Sequence, residues 1–458
     1  MRYKFISSQK IQSQQKIKAS YFLSDGVLRE EKVKSMPYDF LIDTVDYCSN
    51  IGGINKRIYV DKDNGIPLVS MTEMLTHNPH KSCKYVSKTI GIHTFKHLFK
   101  NQMIVASVVG AIGELAYVNE LSVGSVTGNN IIKFFSNKEG YNGYLYAYLC
   151  GSYGNQILRK LKGGAVQSYV DPELFKKIPV PRITNEVRVK THNLMETASR
   201  LRVEANSLLD KSVSLIETEM GLSDTALENE RIVSSNLLLS NYNKRFNSNA
   251  YLNYGQDSIK LLEESKVETS RISELGFDVT RPGIFKRVKV KQGQGFPYIK
   301  GAELVKVNPF SSCEYLSKTK TPFLEELTLK ENQILLTCAG TVGETRLITK
   351  EFEEKKAVGS QDIIRIEAEN SAISELYLFA YLRTKIAHSF IQSLKYGAVI
   401  ERVEPFHIES LPVFIASDEN YKMIVENIKK YSNNLYLAFK KEELAIETVE
   451  KEIEQWEK

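Results

Sequence analysis

A chain of 458 residues is long enough for two or three domains, each with its own core. Hydrophobic residues make up 42% and charged residues 25%, as in an ordinary globular protein, and no run of about 18 apolar residues offers a membrane span. A net charge of +6 is compatible with a polyanionic partner without requiring one.

The chain opens MRYKFISSQKIQSQQK, polar where a signal peptide needs an apolar core. The five cysteines, Cys48, Cys83, Cys150, Cys313 and Cys338, are scattered without a C-x-x-C pair. That usage suits a reducing cytoplasm rather than a disulfide framework. In the first half, short apolar runs at Ile104 to Val109 and Ile131 to Phe135 are bounded by Gly, Asn or Asp, as strands are. One helix is predicted from Tyr141 to about Leu161, then a Gly-containing loop and a short Ile-Pro-Val strand. A long helix follows, roughly Glu186 to Glu219. In it Val187, Leu194, Ala198, Leu201, Ala205, Leu208 and Leu215 alternate at steps of three and four, with Thr191 and Ser212 filling two slots. The polar stretch Ser223 to Asn249 opens the second half, where strands are expected at Ile334 to Thr337 and Ile363 to Ile366. One helix is predicted from Glu375 to about Leu394, then a Leu-Pro-Val strand. The last helix, Tyr421 to Trp456, carries Tyr421, Ile424, Ile428, Tyr431, Leu435, Ala438, Ala445, Val449, Ile453 and Trp456 on one face, interrupted once by Glu442. Many strands with few helices indicate an α+β fold. Pairing of the two long helices would make a coiled-coil spacer.

The two halves are copies. Gly53-Ile-Asn-Lys-Arg-Ile-Tyr-Val60 returns 230 residues on as Gly283-Ile-Phe-Lys-Arg-Val-Lys-Val290. Gly65-Ile-Pro-Leu-Val answers to Gly295-Phe-Pro-Tyr-Ile, and Ser82 to Thr89 answers to Ser312 to Thr319. Asn101-Gln-Met-Ile-Val-Ala-Ser with Gly110-Ala-Ile-Gly-Glu114 matches Asn332-Gln-Ile-Leu-Leu-Thr-Cys with Gly340-Thr-Val-Gly-Glu344. The offset reaches 233 by Tyr144 to Leu149 against Tyr377 to Leu382, and Leu161 to Val166 against Leu394 to Val399. Matches at nearly every Gly and Pro, with small drift, are what a duplication with loop insertions leaves.

Several constellations follow from the repeat. The Gly-x-x-Gly turns at Gly110 and Gly113, and at Gly340 and Gly343, either let backbone N–H groups approach a phosphate or base edge or are simply tight turns needing positive φ. Lys56-Arg57 and Lys286-Arg287 recur in register, with Arg281, Lys289 and Lys291 nearby, suited to phosphate contacts or to a solvated surface run. The loops Gln167-Ser168-Tyr169 and Ile400-Glu401-Arg402 differ while their flanks match, as two readers of different ligands would, or as drift would leave them. His77, His80, Cys83, His93 and His97 have the ligand types zinc prefers, but Cys83 recurs as Cys313 with no histidine beside it, so no metal is expected. No catalytic set has repeat support and no nucleotide-binding glycine pattern is present, so neither catalysis nor a cofactor is expected.

Laid out this way, the chain resembles the specificity subunit of type I restriction-modification systems. The resemblance rests on residues 332–343 and their partner at 101–113, the Gly-Ile-Pro-Leu-Val and Gly-Phe-Pro-Tyr-Ile strands, and the Ile178 to Pro181 ending before a long helix. It departs at Arg182 to Glu186, which lacks the usual Glu-Gln, and at Phe414. The resemblance implies two target-recognition domains, at 1–183 and 223–416, and two spacer helices, at 184–222 and 417–458, packed as an antiparallel coiled coil. Each domain would read one half of a bipartite site in double-stranded DNA. Catalysis would belong to two methyltransferase subunits and, for cleavage, two translocase-nuclease subunits. The candidate DNA contacts are Lys56, Arg57, Ser70, Thr72, Ser107, Gly110, Gly113, Gln167, Ser168, Tyr169, Arg281, Lys286, Arg287, Lys300, Thr337, Gly340, Thr341, Gly343, Glu401 and Arg402. The candidate helix seam is Leu194, Ala198, Leu201 and Leu208 against Ile424, Ile428, Leu435, Val449, Ile453 and Trp456. A helix of about 36 residues is about 54 Å long and spans at most about 16 base pairs. The rivals are a specificity subunit of another methylation-based phage-defence system, a duplicated adaptor binding peptides, and a nuclease or methyltransferase fused to recognition domains.

Overall fold

The computed structural model describes residues 24–50, 57–88, 97–163, 168–221 and 268–456, with Ser8 and Phe22. The chain divides into two compact units, Met1–Val203 with Leu437–Lys458, and Glu204–Tyr436. Each contains a segment of both long helices.

In the first unit, strands β2 (Tyr47–Ser49), β6 (Ile104–Ser107), β7 (Leu115–Tyr117) and β8 (Ile131–Phe135) form an antiparallel sheet in the order β2-β8-β6-β7. A smaller sheet orders β3 (Tyr59–Val60), β5 (Lys84–Ser87) and β4 (Gly65–Leu68), and β1 (Tyr38–Phe40) pairs with β9 (Pro179–Pro181). The second unit repeats this plan. Strands β11 (Asp278–Thr280), β15 (Ile334–Thr337), β16 (Thr345–Leu347) and β18 (Ile363–Glu367) order as β11-β18-β15-β16. Strands β12 (Lys289–Val290), β14 (Glu314–Ser317), β13 (Gly295–Ile299) and β17 (Val358–Gly359) form the second sheet, and β10 (Thr269–Arg271) pairs with β19 (Pro412–Phe414). Even the register is kept: Val105 faces Lys133, and Leu335 faces Arg365.

Those two cations are a shared device. Lys133 is fully buried and donates to the His97 carbonyl at 3.1 Å. Arg365 is buried and donates from Nη2 to the Leu327 carbonyl at 3.0 Å and from Nη1 to Glu326. Each ties its central strand to the segment that leads into the neighbouring strand, and satisfies a carbonyl no ladder reaches.

Two further buried tyrosines recur. Tyr144 and Tyr148 donate to the carbonyls of Pro181 and Pro179 at 2.5 and 2.6 Å; Tyr377 and Tyr381 donate to Phe414 and Pro412 at 2.9 and 2.6 Å. Spacings of four set each pair on one helix face, so the hydroxyls clamp the short Pro-Val strand that leads into a long helix.

The single helix expected after each sheet is two. In the first unit, α1 (Tyr141–Cys150) and α2 (Ser152–Lys160) break at Gly151, whose ψ is 166°. In the second, α3 (Glu375–Leu382) and α4 (Lys385–Ser393) break at Thr384, whose hydroxyl caps the next helix by accepting from Ala387 N at 3.3 Å. An extended residue ends the helical ladder whatever the surrounding apolar content.

The long helices run Asn185–Glu219 (α5) and Asp418–Glu454 (α6). The α6 seam is buried at Ile424, Ile428, Leu435, Val449 and Ile453, while Trp456 beyond its end is half-buried. On α5 one edge of the expected seam holds, with Ala198 and Ala205 buried, but the other is shifted by one residue. Met195, Leu209 and Ile216 are buried, whereas Leu194, Leu201 and Leu208 are only half-buried. The reason is that α5 packs its leucines sideways, Leu194 on the core of the first unit and Leu208 on that of the second. Glu442, the break in the α6 series, is buried in an ion pair with Arg202. Burial alone would push the Arg202 guanidinium down, but the Glu442 carboxylate beside it holds it above its usual value. In the second unit the end of α5 meets the start of α6: Glu219 accepts from Ser417 N at 2.6 Å and Asn420 Nδ2 at 2.7 Å. Among the described residues no helix is long and apolar enough to cross a membrane.

Candidate nucleic-acid interface

In each unit the Gly-x-x-Gly turn and the divergent loop form one platform, built by backbone bonds in the same register. In the second unit Thr337 and Gly343 close the turn, Gly343 N donating to the Thr337 carbonyl at 2.9 Å. Gly340 and Gly343 have φ of 74° and 91°, and in the first unit Gly110 and Gly113 have 76° and 98°. Positive φ at both ends of a four-residue turn is why glycine stands there twice. The outer glycines, Gly110 and Gly340, are exposed. The inner ones are packed on the following helix, Gly113 against Arg159 and Gly343 against Gln392. Asn155 Nδ2 holds the Gly113 carbonyl at 2.8 Å and Gln392 Nε2 the Val342 carbonyl at 2.7 Å, so the turn is fixed from beneath.

The loop is lashed beside it. Gly110 N donates to Ser168 O at 2.9 Å and Val170 N to Val108 O at 2.8 Å; Gly340 N donates to Glu401 O at 3.2 Å and Val403 N to Cys338 O at 3.0 Å. The neck of the loop closes by a reciprocal pair, Gly163 with Tyr169 at 2.8 and 3.2 Å and Tyr396 with Arg402 at 3.0 and 2.8 Å. Around the second neck the polar side chains are paired to one another. Lys395 meets Glu401 at 2.6 Å, Arg281 meets Glu404 at 3.1 Å, and Tyr396 OH donates to Glu404 at 2.6 Å. That bond to the Glu404 carboxylate, with burial second, raises the Tyr396 phenol above its ordinary pKa. Burial pushes up the Cys338 thiol under the turn, partly offset by Arg281.

The structure therefore brings together Gly110, Gly113, Ser168 and Tyr169 in one unit, and Gly340, Thr341, Gly343, Glu401, Arg402 and Arg281 in the other. Ser107 and Thr337 lie below this surface. Both are buried, with the Ser107 hydroxyl donated to Val109 O at 2.8 Å and that of Thr337 to Thr341 O, so they hold the turn rather than face outward. Arg57, Lys286 and Arg287 are exposed, with the Arg57 guanidinium against Gly128. Ser70 and Thr72 are exposed at the start of a short helix, where Ser70 forms a capping box with Glu73. Lys300 occupies the equivalent cap and pairs with Glu314 at 3.3 Å. Lys56, Gln167 and His93 lie outside the described residues. Of the other candidate zinc ligands, His80 is bonded to Ser125 Oγ at 2.7 Å and His97 to Tyr47 OH at 3.1 Å. Among the described residues no three His, Cys, Asp or Glu side chains gather as a metal site.

The family model described as the type I restriction modification DNA specificity domain matches residues 264–448, which take in the whole second platform. Residues 264–448 are thus similar to the type I restriction-modification DNA specificity domain. A curated relative, the type I restriction enzyme MjaVIII specificity subunit of Methanocaldococcus jannaschii, is 30% identical over 158 residues, 31% of this chain. The match spans about a third of that relative, 35% of its length. Among solved structures, the S subunit of a type I restriction-modification system from M. genitalium is 11% identical, with 91% of this chain and 95% of that one covered at a TM-score of 0.32. The HsdS subunit from Thermoanaerobacter tengcongensis is 10% identical, covering 92% and 96% at a TM-score of 0.27. Sequence reasoning missed the tyrosine clamp, the buried Lys133 and Arg365, and the Arg202 partner of Glu442. The only advance signals were tyrosines at matching repeat positions and a charge inside an apolar series.

Proposed function

We propose that this chain recognises a bipartite site in double-stranded DNA, each recognition domain (1–183 and 223–416) reading one half through its turn-and-loop platform. The observation that carries the reading is the platform itself, built twice on the same backbone bonds but ending in different side chains, Ser168 and Tyr169 in one and Glu401 and Arg402 in the other. A shared frame with unlike tips is the arrangement that reads two different half-sites. The exposed outer glycines Gly110 and Gly340 carry no side chain to keep DNA from the turn, and exposed Arg57, Lys286 and Arg287 suit backbone contacts that fix register. The segments 184–222 and 417–458 would pair as an antiparallel spacer that sets the gap between half-sites and carries two methyltransferase subunits. Translocase-nuclease subunits would join for cleavage. Catalysis would then belong to the partners, and the chain itself would act in the cytoplasm.

The test is methylome sequencing of cells expressing the chain with an adenine methyltransferase partner. Modification at a split, asymmetric motif is expected. Modification at a continuous motif would refute the bipartite reading, and the absence of salt-sensitive binding of the purified chain to duplex DNA would refute DNA recognition in favour of a peptide adaptor.

A further inference from the structure

The end of the second platform loop carries chemistry that its frame does not use. Val399 is 96% exposed and Ile400 is 51% exposed. Gly397, at φ 104°, turns the chain so tightly that a Cβ there would collide with the Ile400 carbonyl. The neck bonds between Tyr396 and Arg402, and the Gly340 bond to Glu401, hold this loop against the turn. The charged groups at its base are paired among themselves, Lys395 with Glu401 and Arg281 with Glu404. What the loop presents at its tip is thus a pair of β-branched aliphatic side chains on a braced finger. Apolar surface held in water gains free energy when a partner covers it. Val399 recurs in the first domain as Val166, whereas the equivalent of Ile400 is Gln167, so the second aliphatic side chain distinguishes this tip.

We infer that Val399 and Ile400 read the C5-methyl group of thymine in the major groove of the half-site recognised by the second domain. The inference rests on the DNA-reading function proposed above and deepens it. Polar groups at base edges call for donors and acceptors, whereas the pyrimidine methyl is the one apolar group a major-groove edge presents. A two-residue aliphatic tip matches that group and no other on the duplex edge. Arg402, at the foot of the finger and half-exposed, is placed to contact the adjoining base or phosphate.

The test selects targets for the full chain from a random duplex library, then repeats binding with deoxyuridine in place of each thymine of the selected half-site. The wild-type chain is expected to lose about five- to tenfold in affinity at one or two thymines of one half-site and nowhere in the other. The V399A/I400A chain, whose changes lie in solvent, should bind thymine and deoxyuridine duplexes alike and show a relaxed base preference at those positions. Ile400→Gln alone should shift that preference toward a polar base edge. Equal sensitivity to deoxyuridine in wild type and V399A/I400A, or a wild type indifferent to it, would overturn the inference while leaving a selected bipartite motif intact. Failure of the wild-type chain to select any motif would overturn the DNA-reading function and this inference together.

Discussion

Lys133 shows how a single buried charge makes the first unit sensitive to pH. Its ammonium group is enclosed and donates to the His97 carbonyl, and burial lowers its pKa from 10.5 to about 8. Between those values the unfolded chain binds the extra proton and the folded chain does not, so folding stability attributable to this residue rises with pH across that window. It is fully present above about pH 10.5 and lost as the pH falls through about 8. Chemical denaturation of the wild type and Lys133→Met from pH 7 to 10.5 should show the wild type gaining about 2–3 kcal/mol on the variant as the pH rises. A constant difference would mean the ammonium is solvated. Arg365, in the same register of the second unit, is lowered to about 10 and stays charged at neutral pH. The tyrosine clamp is a second residue-scale case. Tyr148→Phe leaves the Pro179 carbonyl without its donor and should cost about 1–2 kcal/mol in the same measurement.

At the scale of the element, the long helices were legible in period but not in detail. The alternation of three and four located both helices within three residues at either end, because a 3.5-residue repeat survives in sequence whatever it packs on. The face of α5 was read one residue off along one edge, since Leu194, Leu201 and Leu208 are the more hydrophobic choice and only the structure supplies the lobe on which they lean. The break between α1 and α2 was illegible for a related reason: apolar residues continue through Gly151, and only backbone geometry ends the helix. Glu442 read as a flaw and is instead half of a buried ion pair. At the matching offset, the other end of the helices has Leu209 and Leu435 in these slots, both buried. Glu442→Leu alone should destabilise the first unit by about 3–5 kcal/mol by stranding the Arg202 charge, and adding Arg202→Leu should restore most of it. Thermal melting of the three chains decides this, and a single variant as stable as the wild type would show the pair to be solvated.

At the scale of the molecule, the duplication was legible throughout. Glycines and prolines mark backbone positions that cannot drift, and their near-constant offsets revealed two copies of one unit, although the strand order within each came only from the structure. The candidate DNA contacts were not legible in the same way, because exposure depends on how loops fold back; Ser107 and Thr337 were among those candidates and are buried struts. The spacer proposal belongs at this scale. Inserting one heptad into both α5 and α6 should lengthen the unread gap of the methylated motif by about 3 base pairs, with both half-sites unchanged. An unaltered gap in the methylome would show that something other than helix length fixes the spacing.

The reciprocal main-chain bonds at the neck of the second loop have a consequence for heredity. Because Tyr396, Arg402 and Gly340 fasten it through atoms every amino acid shares, the side chains at 398–400 owe nothing to stability. Substitutions there should shift the melting point negligibly, within about 0.5 kcal/mol, while rewriting what the finger feels. The tip can therefore change one codon at a time, without any ancestor along the way losing its fold.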